Sequence, residues 1–575
     1  MKAARLLRDY ERIADAPDAV PRLRRFIHDL AVRGQLVPQD PNDEPASVLL
    51  ERMAAEKTQL EKLGTIKHRP LLPSVADDEE PFGVPLDWRW VRFANVSEFS
   101  AGRTPSRSDA SFWNTGDHAW ASIADVEDGR VLTSTKETVS NEAQERVFRS
   151  LPKPPGTMIM SFKLTIGKIA RLGIPAFHNE AIISITPYLA ELDEYLFRFL
   201  PQFARRGDTK GAIKGATLNR DSISNILLPL PPLGEQRRIV AKVDELMALC
   251  DRLEVTQARR ESSRDKLAVA GLAPLNSPDP ISFPADARFA LANLAALTMR
   301  RDQIKRLRQT ILNLAMRGKL VQQDPSDEPA SKLPERIAAE RDDLVQRGFI
   351  RRERPLDPIP LLDLPFDVPH GWVWSRIGDA VLSTQYGTSQ KSQPSENGVP
   401  VLAMGNVQDG LVVWGDEKRI PKTSKDLPAL FLSKFDLLYN RTNSAELVGK
   451  TGIYLGEDSV RTFASYLIRL RPSLKWTDPR YLNMAMNTPQ FRQTQILPLI
   501  KKQTGQANVN GTALKNMLIP LAPLAEQHRI VAKVDELMAV CDQLESKLTA
   551  RNETRRRLLE ALLREALDEK VEEAP

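Results

Sequence analysis

Three polar stretches of the chain concentrate side chains able to pair with flat hydrogen-bonding edges. "SAGRTPSRSD" at 100–109 supplies Arg103, Thr104, Ser106 and Arg107. "TQYGTSQKSQ" at 384–393 supplies Gln385, Tyr386, Thr388 and Lys391, and "KKQTGQANVNGT" at 501–512 supplies Lys501, Gln506 and Asn508. Arg, Gln and Asn match the donor and acceptor patterns of base edges, so these stretches suit direct readout of a nucleic acid; an ordinary surface loop has the same composition. Basic residues gather close by. Between Arg198 and Arg220 stand Arg198, Arg205, Arg206, Lys210, Lys214 and Arg220 against one acid, Asp208. Between Gln490 and Lys515 stand Arg492, Lys501, Lys502 and Lys515 with no acid. Two clusters in corresponding places favour phosphate contacts over a solvated loop, and Lys210 and Lys214 join the candidate contacts on that ground.

Catalytic constellations are missing from the sequence. Its six His residues form no HExxH, and its two Cys residues form no zinc pair, so no metal site is expected. No GxGxxG opens a helix and no Asn/Asp-Pro-Pro-aromatic run occurs. "SAELVGKTG" at 444–452 approaches a phosphate loop, but Ser444 stands where glycine is needed and the flanks alternate like a hairpin. Gly449-Lys450 is therefore read as hairpin chemistry.

The elements that would position these loops are duplicated. "EQRRIVAKVDELMALCDRLE" from Glu235 returns as "EQHRIVAKVDELMAVCDQLE" from Glu526, with 17 of 20 positions identical at an offset of 291. "VRGQLVPQDPNDEPASVLLERMAAEK" from Val32 returns as "MRGKLVQQDPSDEPASKLPERIAAER" from Met316, with 18 of 26 identical at an offset of 284. "FGVPLDWRW" from Phe82 answers "FDVPHGWVW" from Phe366. The blocks between these flanks do not align by eye. One framework thus carries two unlike inserts, as one machine with two different reading heads would.

The framework segments read as helices. Ile239, Val243, Leu246, Cys250 and Leu253 step by 4, 3, 4, 3, as do Ile530, Val534, Leu537, Cys541 and Leu544. That is a coiled-coil seam, with both cysteines as small buried apolar residues. Each seam helix is predicted to run about 35 residues, roughly 50 Å. The seams can cover each other within one chain, antiparallel if a two-fold axis relates the copies, or they can join two chains. Earlier helices carry Val20, Leu23, Ile27, Leu30 and their counterparts Ile304, Leu307, Ile311, Leu314, and should stop near Gly34 and Gly318. In the unlike blocks, "GTMIMSF", "KIARLGI", "AIISITP", "VPVLAMGNV", "KFDLLYN" and "TGIYLG" read as strands, and "DEYLFRFLPQFARR" and "DPRYLNMAMNTPQFRQ" as helices. Trp88, Trp90, Trp372 and Trp374 at the block entrances are read as packing residues.

With 42% hydrophobic and 27% charged residues, 575 positions describe several globular units rather than one core. No apolar run reaches membrane length and the charged start is unlike a secretory leader, so a cytoplasmic protein is expected. The net charge of +6 is a mild sign of a polyanionic partner.

"RGQLVPQDPNDEPAS", "GRTPSRSD", "TGQANVNGTALKNMLIPLAPLAEQHRIVAKVDELM" and the two-copy layout resemble the specificity subunits of type I restriction–modification systems. The first half has "TKGAIKGATLNRDSISNILLPLPPLGEQRRIV", without the "TGQ" wording. The resemblance covers nearly the whole chain. It implies a mixed α/β (α+β) fold with internal pseudo-two-fold duplication: two target-recognition domains, 80–232 and 364–523, separated by an antiparallel two-helix coiled-coil spacer. Segments 1–62, 233–345 and 524–575 would form the framework. It further implies a non-catalytic subunit that binds a bipartite site on double-stranded DNA. Two copies of an adenine DNA methyltransferase subunit, carrying S-adenosylmethionine, would dock on it, and a restriction and translocase subunit would join. This chain itself would hold no cofactor. The residues leave two other classes open: a coiled-coil scaffold that binds only proteins, and a stand-alone nuclease or NTPase.

Overall fold

The computed structural model describes residues 16, 18–206, 210–212, 215–276, 279, 281–500 and 507–568. They fall into two compact units, the described residues up to 258 with 554–568, and those from 259 to 553.

In the first unit, helix α1 (Ala19–Val32) buries Val20, Phe26, Ile27, Ala31 and Val32. It stops, as predicted, at Gly34, whose φ of 66° suits glycine. A Cβ there would also lie 2.5 Å from the Pro85 ring. After the Asp40–Asp43 turn comes α2 (Ala46–Lys62). The domain opens on β1 (Arg89–Arg92), followed by β2 (Ser97–Ala101), β3 (Arg130–Leu132), β4 (Met158–Ser161), β5 (Lys163–Leu164), β6 (Ile169–Leu172) and β7 (Ile182–Pro187). The main sheet has the order β2-β7-β4-β6-β3, antiparallel except for β3 beside β6. The apolar runs read from the sequence are its inner strands, and all four residues of β4 are buried. Helix α3 (Asp193–Arg206) lays Tyr195, Leu196, Phe199, Leu200 and Phe203 into the core. Then β8 (Gly215–Thr217) pairs with β5, β9 (Leu227–Leu230) pairs with β1, and the chain enters α4 (Leu233–Asn276).

The second unit repeats this order. After α5 (Phe283–Ala292), helices α6 (Arg301–Met316) and α7 (Lys332–Gln346) take the places of α1 and α2. Strands β10 (Val373–Arg376), β11 (Val381–Tyr386), β12 (Leu437–Asn440), β13 (Thr442–Asn443), β14 (Thr451–Ile453) and β15 (Leu467–Pro472) follow. Helix α8 (Pro479–Met486), β16 (Ala507–Asn508), β17 (Leu518–Leu521) and α9 (Leu524–Asp568) complete it. The main sheet is β11-β15-β12-β14, continued by Leu411–Val412 and Val407–Gln408, and Leu411 again pairs parallel with β14. β16 pairs with β13 and β17 with β10. The two blocks that do not align therefore share one connectivity. A sheet needs apolar strands and chain reversals in a given order, and many sequences meet that need. The fold is a mixed α/β architecture with two repeated domains.

Two features depart from the sequence expectations. The long helices run 44 and 45 residues, not about 35. No proline interrupts the first before Pro274, which sits in its final turn and so removes a single backbone bond at the helix end. At 1.5 Å per residue each is roughly 66 Å long. The second departure concerns the seam. In the first unit Ile239, Val243 and Cys250 share a cluster with Val20 and Ile27 of α1, with Leu246 and Leu253 packed against it. In the second, Ile530, Val534 and Cys541 share one with Ile304 and Ile311 of α6, flanked by Leu537 and Leu544. Within each unit the stripe is covered by the short helix of its own copy, whose apolar face has the matching spacing. Charge closes the rim alike: Arg24 bonds Asp251 and Glu254 at 2.5 and 3.1 Å, and Arg308 bonds Asp542 and Glu545 at 2.7 and 3.2 Å. The far part of α4 packs Ala268 and Leu272 beside Leu297 and Leu314. The far part of α9 sets Leu559 and Leu562 beside Ala16 and Ala19. Among the described residues no helix is long and apolar enough to cross a membrane.

Candidate nucleic-acid interface

The loop after β2 is held by backbone before any side chain acts. Gly102 lies so close to the strand ending at His178 that a Cβ would sit 1.9 Å from the His178 carbonyl oxygen. The Arg103 N–H donates to that oxygen at 2.9 Å, and the Arg103 carbonyl accepts from Trp120 Nε1 at 3.0 Å. Arg103 is exposed and bonds the Val147 carbonyl. Arg107 lies 3.8 Å over the Trp113 ring and pairs with Glu137, which raises its pKa. Thr104 donates to Glu180, and Ser106 and Ser108 bond each other at 2.8 Å. The predicted loop is thus pre-shaped, with both arginines partly presented to solvent.

Beneath it, burial holds the His178 imidazole at about 4, below its ordinary 6.5. The unfolded chain takes up this proton first as the pH falls. The stability from a neutral His178 is whole above pH 6.5 and fades toward pH 4, by roughly 3 kcal/mol. Denaturant unfolding of wild type and His178→Gln between pH 7 and pH 4 is expected to show a steeper loss in wild type, the difference being the part due to His178.

The second domain repeats the clamp. A Cβ on Gly387 would lie 2.3 Å from the Phe463 carbonyl oxygen, and Thr388 N–H donates to that oxygen at 2.8 Å. Here several predicted contacts turn inward. The Thr388 side chain is buried, donating to Asp426 at 2.5 Å and accepting from the Gln390 N–H at 3.0 Å, so it holds the loop rather than facing a ligand. Gln385 Oε1 accepts from Arg469. Arg469 is buried, bonded to the Phe431 and Ala429 carbonyls at 2.6 and 3.2 Å, and burial holds its pKa down to about 10. Tyr386 stays exposed, its hydroxyl accepting from the Gly511 N–H at 2.6 Å, and Lys391 is also exposed.

Each domain also carries a second short ladder. In the first, β5 and β8 set Lys163 opposite Thr217. In the second, β13 and β16 set Thr442 opposite Asn508, with Thr442 Oγ1 3.2 Å from Asn508 Oδ1. The registers correspond: Leu218 N–H donates to the Phe162 carbonyl at 3.0 Å and Val509 N–H to the Arg441 carbonyl at 2.9 Å. Arg441 lies 5.1 Å from the Tyr386 ring centre, so Tyr386, Arg441, Thr442 and Asn508 form one polar edge. A short two-stranded ribbon of this kind fits a major groove. Lys163, Arg441 and Thr442 escaped the sequence reading, because only the ladders give the blocks a common register.

Lys214, Lys501 and Gln506 lie outside the described residues. The backbone of Lys210 forms a short strand against β8. Much of the predicted basic clusters is spent on neighbours. Arg198 pairs with Asp244, Arg205 with Asp128 at 3.1 Å, Arg206 with Asp29 at 3.3 Å, and Lys515 with Glu353 at 2.9 Å. Gly449 and Lys450 occupy the turn between β13 and β14, with strand on both sides rather than a helix after the loop. Among the described residues no group of three or more His, Cys, Asp and Glu side chains is placed to hold a metal ion.

A family model described as "Type I restriction modification DNA specificity domain" matches residues 85–260 and again 369–553. The chain is 30% identical to the type I restriction enzyme EcoAI specificity subunit of Escherichia coli, over 96% of this chain and 94% of the relative. It is 29% identical to the EcoEI specificity subunit of the same organism, over 96% and 94%. Among solved structures, the HsdS subunit from Thermoanaerobacter tengcongensis aligns with a TM-score of 0.41 and 19% identity, covering 85% of this chain and 98% of that one.

Proposed function

Because the chain belongs to the type I restriction–modification DNA specificity family, a family of recognition rather than catalytic subunits, we propose that its two domains read a bipartite target on double-stranded DNA, one half-site each. The observation that carries this reading is one topology built twice with unlike side chains on corresponding strands. Lys163 and Thr217 stand where the other domain has Thr442 and Asn508. Equal scaffolds with unequal edges read unequal sequences. The duplicated helices dock the same partner twice, two copies of an adenine DNA methyltransferase subunit. S-adenosylmethionine belongs to that partner, and a restriction and translocase subunit completes the complex, at work in the cytoplasm.

Exchanging residues 80–232 for the corresponding block of a relative, with methylated motifs mapped before and after, tests this. The expected result changes one half-site and leaves the other and the gap intact. A change in both half-sites at once would refute one-domain, one-half-site reading.

A further inference from the structure

Each domain meets its long helix at a joint made of the same parts. In the first unit β1 pairs antiparallel with β9, Arg89 opposite Leu230, and β9 leads through Pro231 and Pro232 into α4. Trp88, just before β1, is buried and donates its indole N–H to Glu235 Oε2 at 2.8 Å. Glu235 lies in the first turn of α4 and is 1% exposed. Beside it the Gln236 amide donates to the Pro231 carbonyl at 2.8 Å, and Tyr195 to the Pro229 carbonyl at 2.7 Å. In the second unit Trp372 donates to Glu526 at 2.9 Å, Gln527 to the Ala522 carbonyl at 2.8 Å, and Tyr481 to the Pro520 carbonyl at 2.9 Å. Arg238 with Asp43, at 2.5 Å, matches Arg529 with Asp327, at 2.6 Å.

The indole–carboxylate pair differs in kind from the apolar packing around it. Apolar contacts slide at little cost. A hydrogen bond to a buried carboxylate weakens steeply off line, and turning the donor away strands a buried charge. The pair therefore acts as an angular stop. The second joint depends on it more. Glu235 Oε1 also accepts from Gln39 at 2.7 Å, whereas Glu526 Oε1 is buried with no partner among the described residues.

We propose that Trp88–Glu235 and Trp372–Glu526 are positioning pairs that fix the angle between each recognition domain and its long helix, and so set the number of base pairs accepted between the half-sites. This rests on the bipartite reading above.

The test measures methylation by the full complex of this chain and its methyltransferase, on DNAs whose gap is native or altered by one base pair either way. Trp372→Phe keeps the ring and removes the donor. Its preference for the native gap should fall about tenfold, with both half-site sequences unchanged. Glu526→Gln keeps an acceptor for the indole and should retain the preference, which separates an angular role from general damage. If Trp372→Phe loses all methylation, Trp88→Phe carries the same test, since Glu235 keeps its Gln39 bond. An unchanged gap preference in a folded Trp→Phe variant would overturn the proposal. So would equal loss in Trp372→Phe and Glu526→Gln. Wild-type methylation indifferent to the gap would overturn both this proposal and the bipartite reading, and so tells the two failures apart.

Discussion

Gly102→Ala is expected to abolish methylation of the full target while the second domain keeps its fold. The new Cβ would lie 1.9 Å from the His178 carbonyl oxygen and 2.4 Å from that of Asn179. Both are backbone atoms, at the end of the strand against which the loop is registered and just past it, so no rotamer change relieves the clash. The loop must lift, and Arg103 loses the bond from its N–H to His178 and the one from Trp120 to its carbonyl. Overpacking of this kind costs about 3 kcal/mol where the chain yields, and here it displaces Arg103 and Arg107 together. Hydrogen exchange read segment by segment should show lost protection at 101–121 and 176–182 only, with methylation down by at least about 100-fold. Gly83→Ala, where nothing lies within 4 Å, is the control and should behave as wild type. Wild-type methylation by Gly102→Ala would mean that this loop does not take part in reading.

Asp436→Ala should be the most destabilising single change in the second domain. Asp436 is buried and bonds Arg471 at 2.8 and 2.7 Å and the Ser433 N–H at 2.8 Å, with Arg469 3.8 Å away. Its removal leaves the Arg469 guanidinium, already held down to about 10 by burial, without its countercharge. Breaking one side of a buried pair costs about 3–5 kcal/mol, and denaturant unfolding should show that loss. The Asp436→Leu, Arg469→Met double variant should recover part of it, because it removes the fully buried charge, while Arg471, 35% exposed, can turn to solvent. Gln385, released from Arg469, would then shift, so the second half-site should also become less selective.

The framework was legible in the sequence because it is written twice. Gly34 and Gly318 do end their helices, and Cys250 and Cys541 are buried. The repeated Glu-Gln and Trp residues turn out to be the two ends of the joint. The strands within the unlike blocks were legible as apolar runs. Their shared topology was not, since apolar pattern fixes which residues form strands and not the order in which strands pair. The candidate site was legible as exposed polar loops and only partly as residues free to bind. Thr388 and Gln385 have the chemistry of base contacts, yet one is buried on Asp426 and the other engaged by Arg469. Residue type says what a side chain can bond, and only the fold says whether that capacity is already spent. Arg441 stood unremarked because its neighbour Tyr386 lies 55 residues earlier in the sequence.

The most direct test is adenine-methylation mapping of DNA from cells that express this chain with its methyltransferase, set against cells lacking only this chain. The expected result is a methylated motif of two short half-sites with an unread gap, present only when the chain is. Absence of any chain-dependent motif, with both proteins folded and associated, would contradict the account.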